Sequence, residues 1–121
     1  MKDENRSFSL DELNKVSNGD KKFVEEMVAI FIRTTDEGIT EMESAIKKND
    51  MKLIADMAHK IAPPCRHMGA TALLNCLVSI ENAIRNSDKS IDIAQLVEKA
   101  KKEKDIVISE LKTEIIKKDV T

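Results

Sequence analysis

The residues with the most distinctive chemistry lie in one short stretch of the chain. His59, Cys65, Arg66 and His67 occur close together, and Cys76 follows. Histidine and cysteine are ligands for zinc, but this spacing matches no common structural finger. The cysteines form no CxxC pair and no disulfide framework, which favours two small buried thiols. We therefore expect no metal site here.

His59 is the better candidate for chemistry because of the helix face on which it falls. At about 100° per residue, the apolar residues around it form one stripe, and His59 falls close to the opposite side. A solvent-facing imidazole that is largely neutral at pH 7 is a nucleophile. The small residues Ala55, Ala62 and Pro63 are expected on the same face, where they leave a partner room to approach.

Arg66 is spaced to assist a reaction at His59. It follows His59 by seven residues, which is about two turns of helix and nearly the same angle. A guanidinium group suits phosphate oxygens, so Arg66 could reach a phosphoryl group carried by His59. Lys60 is the second candidate cation, although it lies about 100° round the helix.

The remainder of the chain is predicted to form helices that position residues 59–67. Ser9 and Glu12 form a capping-box pattern, and Gly69 marks a structural turn. Pro63 and Pro64 should end, kink or restart their helix near residues 62–64, because proline removes a hydrogen bond and clashes with the preceding turn. The predicted helices cover residues 10–17, 21–48, 51 to the prolines, 70–86 and 91–118. Lys104 falls on the apolar stripe of the last helix and is expected to extend out to water.

The predicted fold class is all-α. Short connections favour antiparallel neighbours, so we expect an up-down antiparallel four-helix bundle with a short extra N-terminal helix. The bundle should occupy residues 9–118, with a flexible N-terminus over residues 1–8.

Composition excludes several classes of function. Twenty basic residues balance 22 acidic ones, and aromatic residues make up 2% of the chain, so we expect no nucleic-acid binding. Gly-rich phosphate loops and the common hydrolase motifs are absent, which argues against an enzyme. No apolar run approaches the length of a membrane span and no signal core is visible, so we expect a cytoplasmic protein without a membrane segment.

The segment from Ala58 to Ala70 resembles the phosphorylatable-histidine segment of histidine phosphotransfer (HPt) domains. The Ala58-His59 and Gly69-Ala70 pairs match that family in identity and spacing. The opening Phe8-Ser9-Leu10, the Gly19-Asp20 start of a long helix and the helix after Ala70 also resemble it. Two positions depart from the pattern, because the family's lysine and glycine after the histidine are Ala62 and Pro63 here.

The resemblance implies a function and a set of partners. His59 would take a phosphoryl group from an aspartate of a receiver domain and pass it to another receiver in a two-component phosphorelay. A hybrid histidine kinase is a further partner that the resemblance implies. The chain would be a monomeric covalent carrier and not an enzyme. It would need no cofactor, because Mg²⁺ belongs to the receiver.

Two alternatives remain at this stage. The chain could be a helical adaptor module in which His59 is inert. It could also be the dimerisation fragment of a histidine kinase, since Pro64 has the spacing of the proline in that family's histidine box.

Overall fold

The computed structural model describes residues 7–120, with side chains described up to Glu114. All regular structure in these residues is helical, and no strand occurs among them. The helices are α1 (Asp11–Ser17), α2 (Lys21–Lys47), α3 (Met51–His67), α4 (Thr71–Arg85) and α5 (Ile93–Val120). Within the described residues, no helix is both long and apolar enough to cross a membrane. The all-α prediction is confirmed.

Aspartate caps and left-handed residues set most of the helix boundaries. Asp20, Asp50 and Asp92 each accept a hydrogen bond from the amide three residues further on, at 3.2, 3.1 and 3.1 Å. Such caps satisfy amides that have no partner inside the helix. Asn18 and Asn49 adopt positive φ angles of 55° and 56° at the ends of α1 and α2. Except at the end of α3, the predicted boundaries agree with these helices to within two residues.

The four long helices share one apolar core. α2 packs against α3 and α5, and α4 packs against the same two helices, while α1 packs on α2. The largest completely buried apolar side chains of this core are Ile39, Met42, Ile54, Ile61, Leu73, Leu77, Ile80 and Leu111. Because α3 lies between α2 and α4, its face away from both neighbours is the one left open to a partner.

The prediction that α3 ends or restarts at its prolines is wrong. The helix runs continuously from Met51 to His67, with Pro63 and Pro64 inside it. Pro63 is exposed and Pro64 half-buried, whereas Ile61, Ala62 and Cys65 are buried on the core side. Proline fixes a φ angle that a helix accepts, and the two lost hydrogen bonds face away from the core. Packing of the buried side of α3 therefore outweighs the free-energy cost of the two prolines.

The N-terminal segment also differs from its prediction. α1 begins after Leu10 without a side-chain cap, and the Ser9 hydroxyl accepts a bond from the Asp11 amide at 3.3 Å. The expected capping box is absent, since the Ser9 amide donates to the Met68 carbonyl at 2.8 Å and Glu12 contacts His67 at 2.9 Å. Phe8 is buried.

The predicted flexible N-terminus, residues 1–8, lies mostly outside the described residues. Ser7, which is described, donates through its amide to Glu110 on α5, at 2.9 Å. Together with the burial of Phe8, this places residues 7 and 8 against the helices, which the prediction did not include.

Lys104 is buried, so the prediction that its side chain extends out to water is wrong. Its ammonium group lies 2.7 Å from Asp36 on α2 and 2.9 Å from Asp105. Burial disfavours the charged form, but the two carboxylates outweigh this effect and raise the pKa of Lys104. The two carboxylates therefore favour the charged form of the Lys104 ammonium group despite its burial.

Gly69 forms the turn between α3 and α4, as predicted. Its φ is +62°, and the amides of Gly69 and Ala70 donate to the carbonyls of Arg66 and Cys65 at 3.1 and 2.9 Å. This is the Schellman pattern, which satisfies the last carbonyls of a helix. A Cβ at position 69 would lie 2.8 Å from the Ser9 Cβ and 2.9 Å from the Ser9 nitrogen.

We expect Gly69→Ala to lower the free energy of unfolding by about 2 kcal/mol, from the left-handed backbone and the contact with Ser9 together. Urea unfolding measures the loss. Gly19→Ala is the matched control, because Gly19 also has positive φ but a Cβ there meets nothing within 4 Å. Equal losses in the two variants would show that the Ser9 contact contributes nothing.

Candidate functional site

His59 projects from the middle of α3 on the face that no other helix covers. Its side chain is 72% exposed, whereas Ala58 and Ile61 beside it are fully buried. The sequence produces this arrangement because the apolar stripe of α3 points inward and His59 lies opposite the stripe. The imidazole is therefore held on a rigid helix while its reactive edge faces solvent.

Glu81 on α4 fixes the orientation of the imidazole. His59 Nδ1 lies 3.2 Å from Glu81 Oε1 and 3.0 Å from Oε2. Burial would raise the pKa of Glu81, but hydrogen bonds from Arg85 and His59 outweigh it and lower that pKa. Because an ionised carboxylate only accepts hydrogen bonds, Nδ1 must carry the proton. In the neutral ring the lone pair is then on Nε2, the ring nitrogen that does not contact Glu81.

A chain of charged groups ties Glu81 to α3. Arg85 donates through Nε to Glu81 at 2.9 Å and through Nη2 to Asp56 at 3.2 Å. Lys52 donates to the other oxygen of Asp56 at 3.0 Å. Hydrogen bonds from Lys52 and Arg85 lower the pKa of Asp56. We call Lys52, Asp56, Glu81 and Arg85 the α3–α4 charge chain; its charges cancel, and it holds Glu81 in place beside His59.

In the phosphotransfer role that the resemblance implies for His59, we expect Glu81→Leu to slow phosphoryl acceptance roughly tenfold, by analogy with the loss of a partner that orients a metal-bound histidine. Glu81→Gln should retain most of the rate, because the amide oxygen can still accept from Nδ1–H. The ¹⁵N shifts of the His59 ring report the tautomer directly. An unchanged tautomer in Glu81→Leu would contradict the orienting role, whatever the rate.

The other predicted site residues divide into exposed and buried sets. Lys60, Pro63 and Arg66 are exposed. The side chains of Lys60 and Arg66 form no hydrogen bond or ion pair with any residue that the structure describes. Both cations are thus available to an incoming group, and Arg66 lies on the same side of the continuous helix as His59.

Two of the predicted residues do not lie on the open face. Ala55 is completely buried and Ala62 is 8% exposed, so the expectation that both border His59 at the surface is wrong. The reason is that α3 packs against two helices at once. The two neighbouring helices therefore cover more of α3 than its apolar stripe alone. Small residues at the edges of the covered surface allow close packing.

The remaining candidates for chemistry are occupied or inaccessible. His67 lies at the end of α3, where Nδ1 contacts Glu12 at 2.9 Å. Burial raises the pKa of Cys65 to about 12 and also raises that of Cys76, so neither thiol is reactive. Within the described residues, no group of three or more histidine, cysteine or acidic side chains could hold a metal.

Sequence reasoning missed Glu81, Arg85 and Asp56. Asp56 and His59 stand three residues apart, and Glu81 and Arg85 four apart, which are spacings of neighbours on one helix face. These spacings indicate one acidic–basic pair on each helix. They do not indicate that the two pairs contact each other. Their contact depends on how α3 and α4 align, and no local pattern encodes that alignment.

A family model and a solved structure both match this chain. A family model described as "Hpt domain" matches residues 26–116. The fold is similar to the crystal structure of histidine-containing phosphotransfer protein B (HptB) from Pseudomonas aeruginosa PAO1, with a TM-score of 0.82 and 18% identity, over 92% of this chain and 96% of that one. No curated protein sequence matches. The family match covers most of the chain, which therefore belongs to the Hpt-domain family and has a histidine phosphotransfer role in a phosphorelay.

Proposed function

We propose that His59 is the residue that carries the phosphoryl group, through Nε2. The observation that supports this most directly is the pairing of Nδ1 with Glu81, because it leaves the lone pair on Nε2 of an exposed side chain. Nε2 attacks the phosphorus of a receiver's aspartyl phosphate, a P–N bond forms, and the P–O bond to the aspartate breaks. The aspartate leaves as a carboxylate, and the proton stays on Nδ1, where Glu81 balances the charge of the phosphorylated ring.

The proposal assigns the catalytic groups to the partner. The receiver domain holds the Mg²⁺ and the groups that stabilise the transferring phosphoryl, while this chain supplies a positioned nucleophile without a cofactor of its own. The chain is then a carrier and not an enzyme. We further propose that it works as a monomer in the cytoplasm, with receivers or a hybrid histidine kinase.

We propose that the four long helices form an up-down antiparallel bundle over residues 9–118, with α1 as the extra N-terminal helix. The closed ring of contacts α2–α3–α4–α5 supports this arrangement, as do the short connections after α2 and α3. In such a bundle, the exposed side chains of Pro63 on α3 and Val78 on α4 would border His59. They would give a receiver a partly apolar surface next to the nucleophile.

A transfer assay tests the proposed function. The full chain is incubated with each of several receiver domains carrying ³²P-labelled aspartyl phosphate. The expected result is label that is lost in acid, stable in alkali and limited to one phosphate per chain. Absence of label with every receiver would favour the helical adaptor. A stable dimer in sedimentation that is phosphorylated only by an added kinase ATP-binding domain would favour the kinase fragment.

Arg66 is expected to stabilise phosphorylated His59. An exposed charge–phosphate contact contributes about 1 kcal/mol, or several-fold in the transfer equilibrium. Arg66→Ala should therefore fold normally, because the residue is exposed, but lose its phosphate faster. Lys60→Ala is the matched control and should change the phosphohistidine lifetime less. The opposite ranking of the two variants would identify Lys60 as the relevant cation.

A further inference from the structure

Pro63 removes the helical hydrogen-bond donor of a backbone carbonyl close to the nucleophile. In an α-helix, the amide of residue 63 would donate to the carbonyl of His59, and proline has no amide proton. α3 nevertheless continues through this position. Arg66, on the same face, makes no hydrogen bond to that carbonyl in the described part of the chain. The His59 carbonyl therefore lacks its helical donor.

This carbonyl lies where a docked partner would cover it. In a helix the carbonyl of a residue points toward the residue four further along, so the His59 oxygen lies between His59 and Pro63, on the side of α3 that carries both residues. Pro63 beside the oxygen is exposed, so water can reach the acceptor in the free chain. Docking over His59 removes that water, and an acceptor left without a donor weakens binding.

We propose that the receiver domain that docks on His59 presents an N–H donor, a backbone amide or a basic side chain, to the His59 carbonyl. Pro63 is then a specificity-determining residue, because receivers without a donor at that point leave the acceptor unpaired. This inference rests on the proposed function. Pro64 leaves the Lys60 carbonyl in the same state, but Pro64 is half-buried and lies further round the helix from His59, so it is the matched control.

The test uses the receiver domain that delivers phosphate fastest in the transfer assay. Pro63→Ala and Pro63→Leu restore the missing amide, and both should melt at a higher temperature than the natural chain. Both should bind the receiver roughly fivefold more weakly by calorimetry, about 1 kcal/mol. Pro64→Ala should bind as the natural chain does. The ¹³C carbonyl resonance of His59 should shift on receiver binding in the natural chain and much less in Pro63→Ala.

The variants separate this hydrogen bond from other effects of Pro63. If Leu restores tight binding and Ala does not, the apolar surface of Pro63 is what matters and the inference is wrong. If the natural chain accepts phosphate but Pro63→Ala binds equally tightly, the inference fails while the proposed function stands. If no receiver delivers phosphate, the proposed function fails and the inference fails with it.

Discussion

His59→Gln is expected to abolish phosphoryl acceptance, while His67→Gln retains it. Glutamine has a size similar to that of histidine but no nucleophilic ring nitrogen, so no P–N bond can form at position 59. His59 is 72% exposed, so the substitution should not disturb the core. His67 is held against Glu12 at the end of α3 and lies further along the helix. The measurement is acid-labile ³²P retained after incubation with a phosphorylated receiver.

Circular dichroism and thermal melting of both variants provide the control for folding. Both should melt within a few degrees of the natural chain. Labelling of His59→Gln at the natural level, or loss of label in His67→Gln alone, would overturn the assignment of His59.

Gly38→Leu is expected to destabilise the fold by about 3 kcal/mol or more. Gly38 is buried on α2, and a Cβ at this position would lie 2.9 Å from Ile61 Cγ2 and 3.6 Å from Met57 Cε. Ile61 is completely buried and β-branched, so its Cγ2 cannot move aside cheaply. Small domains have a free energy of unfolding of only about 5–15 kcal/mol. A leucine at position 38 would therefore remove much of the stability. Urea unfolding gives the value.

Glu37→Leu is the matched control, because Glu37 precedes Gly38 on the same helix and is exposed. It should change the unfolding free energy little. A double variant, Gly38→Ala with Ile61→Leu, moves the branch away from the contact and should recover stability relative to Gly38→Ala alone. If Gly38→Leu unfolds at the same urea concentration as the natural chain, α2 and α3 are not packed as closely as described.

The helices were predictable because their signals are local. Aspartates at the starts and asparagines at the ends act within a few residues of themselves, and apolar periodicity identifies the inward side. The exposed position of His59 followed from the same periodicity. The continuity of α3 was not predictable, because the local cost of Pro63 and Pro64 is outweighed by packing against α2 and α4. The burial of Ala55 has the same cause.

The partners of His59 lie beyond the reach of local reasoning. Glu81 contacts His59 only because α3 and α4 align in one particular way, and the free energies that set this alignment are spread over the whole interface. A sequence shows that Glu81 and Arg85 can pair within α4, but not which residue of α3 they meet.

The buried ammonium of Lys104 has a consequence for the alignment of α5 with α2. Valine, isoleucine and leucine side chains are nearly interchangeable, so an apolar stripe by itself tolerates a displacement by one turn, about 5.4 Å. Such a displacement would carry Lys104 away from Asp36, which now lies 2.7 Å from it, while Asp105 would move with the lysine. A charge under the apolar surface would then lose its partner from the other helix, which is costly. The pair therefore penalises a displaced α5 and favours the register in which Lys104 meets Asp36.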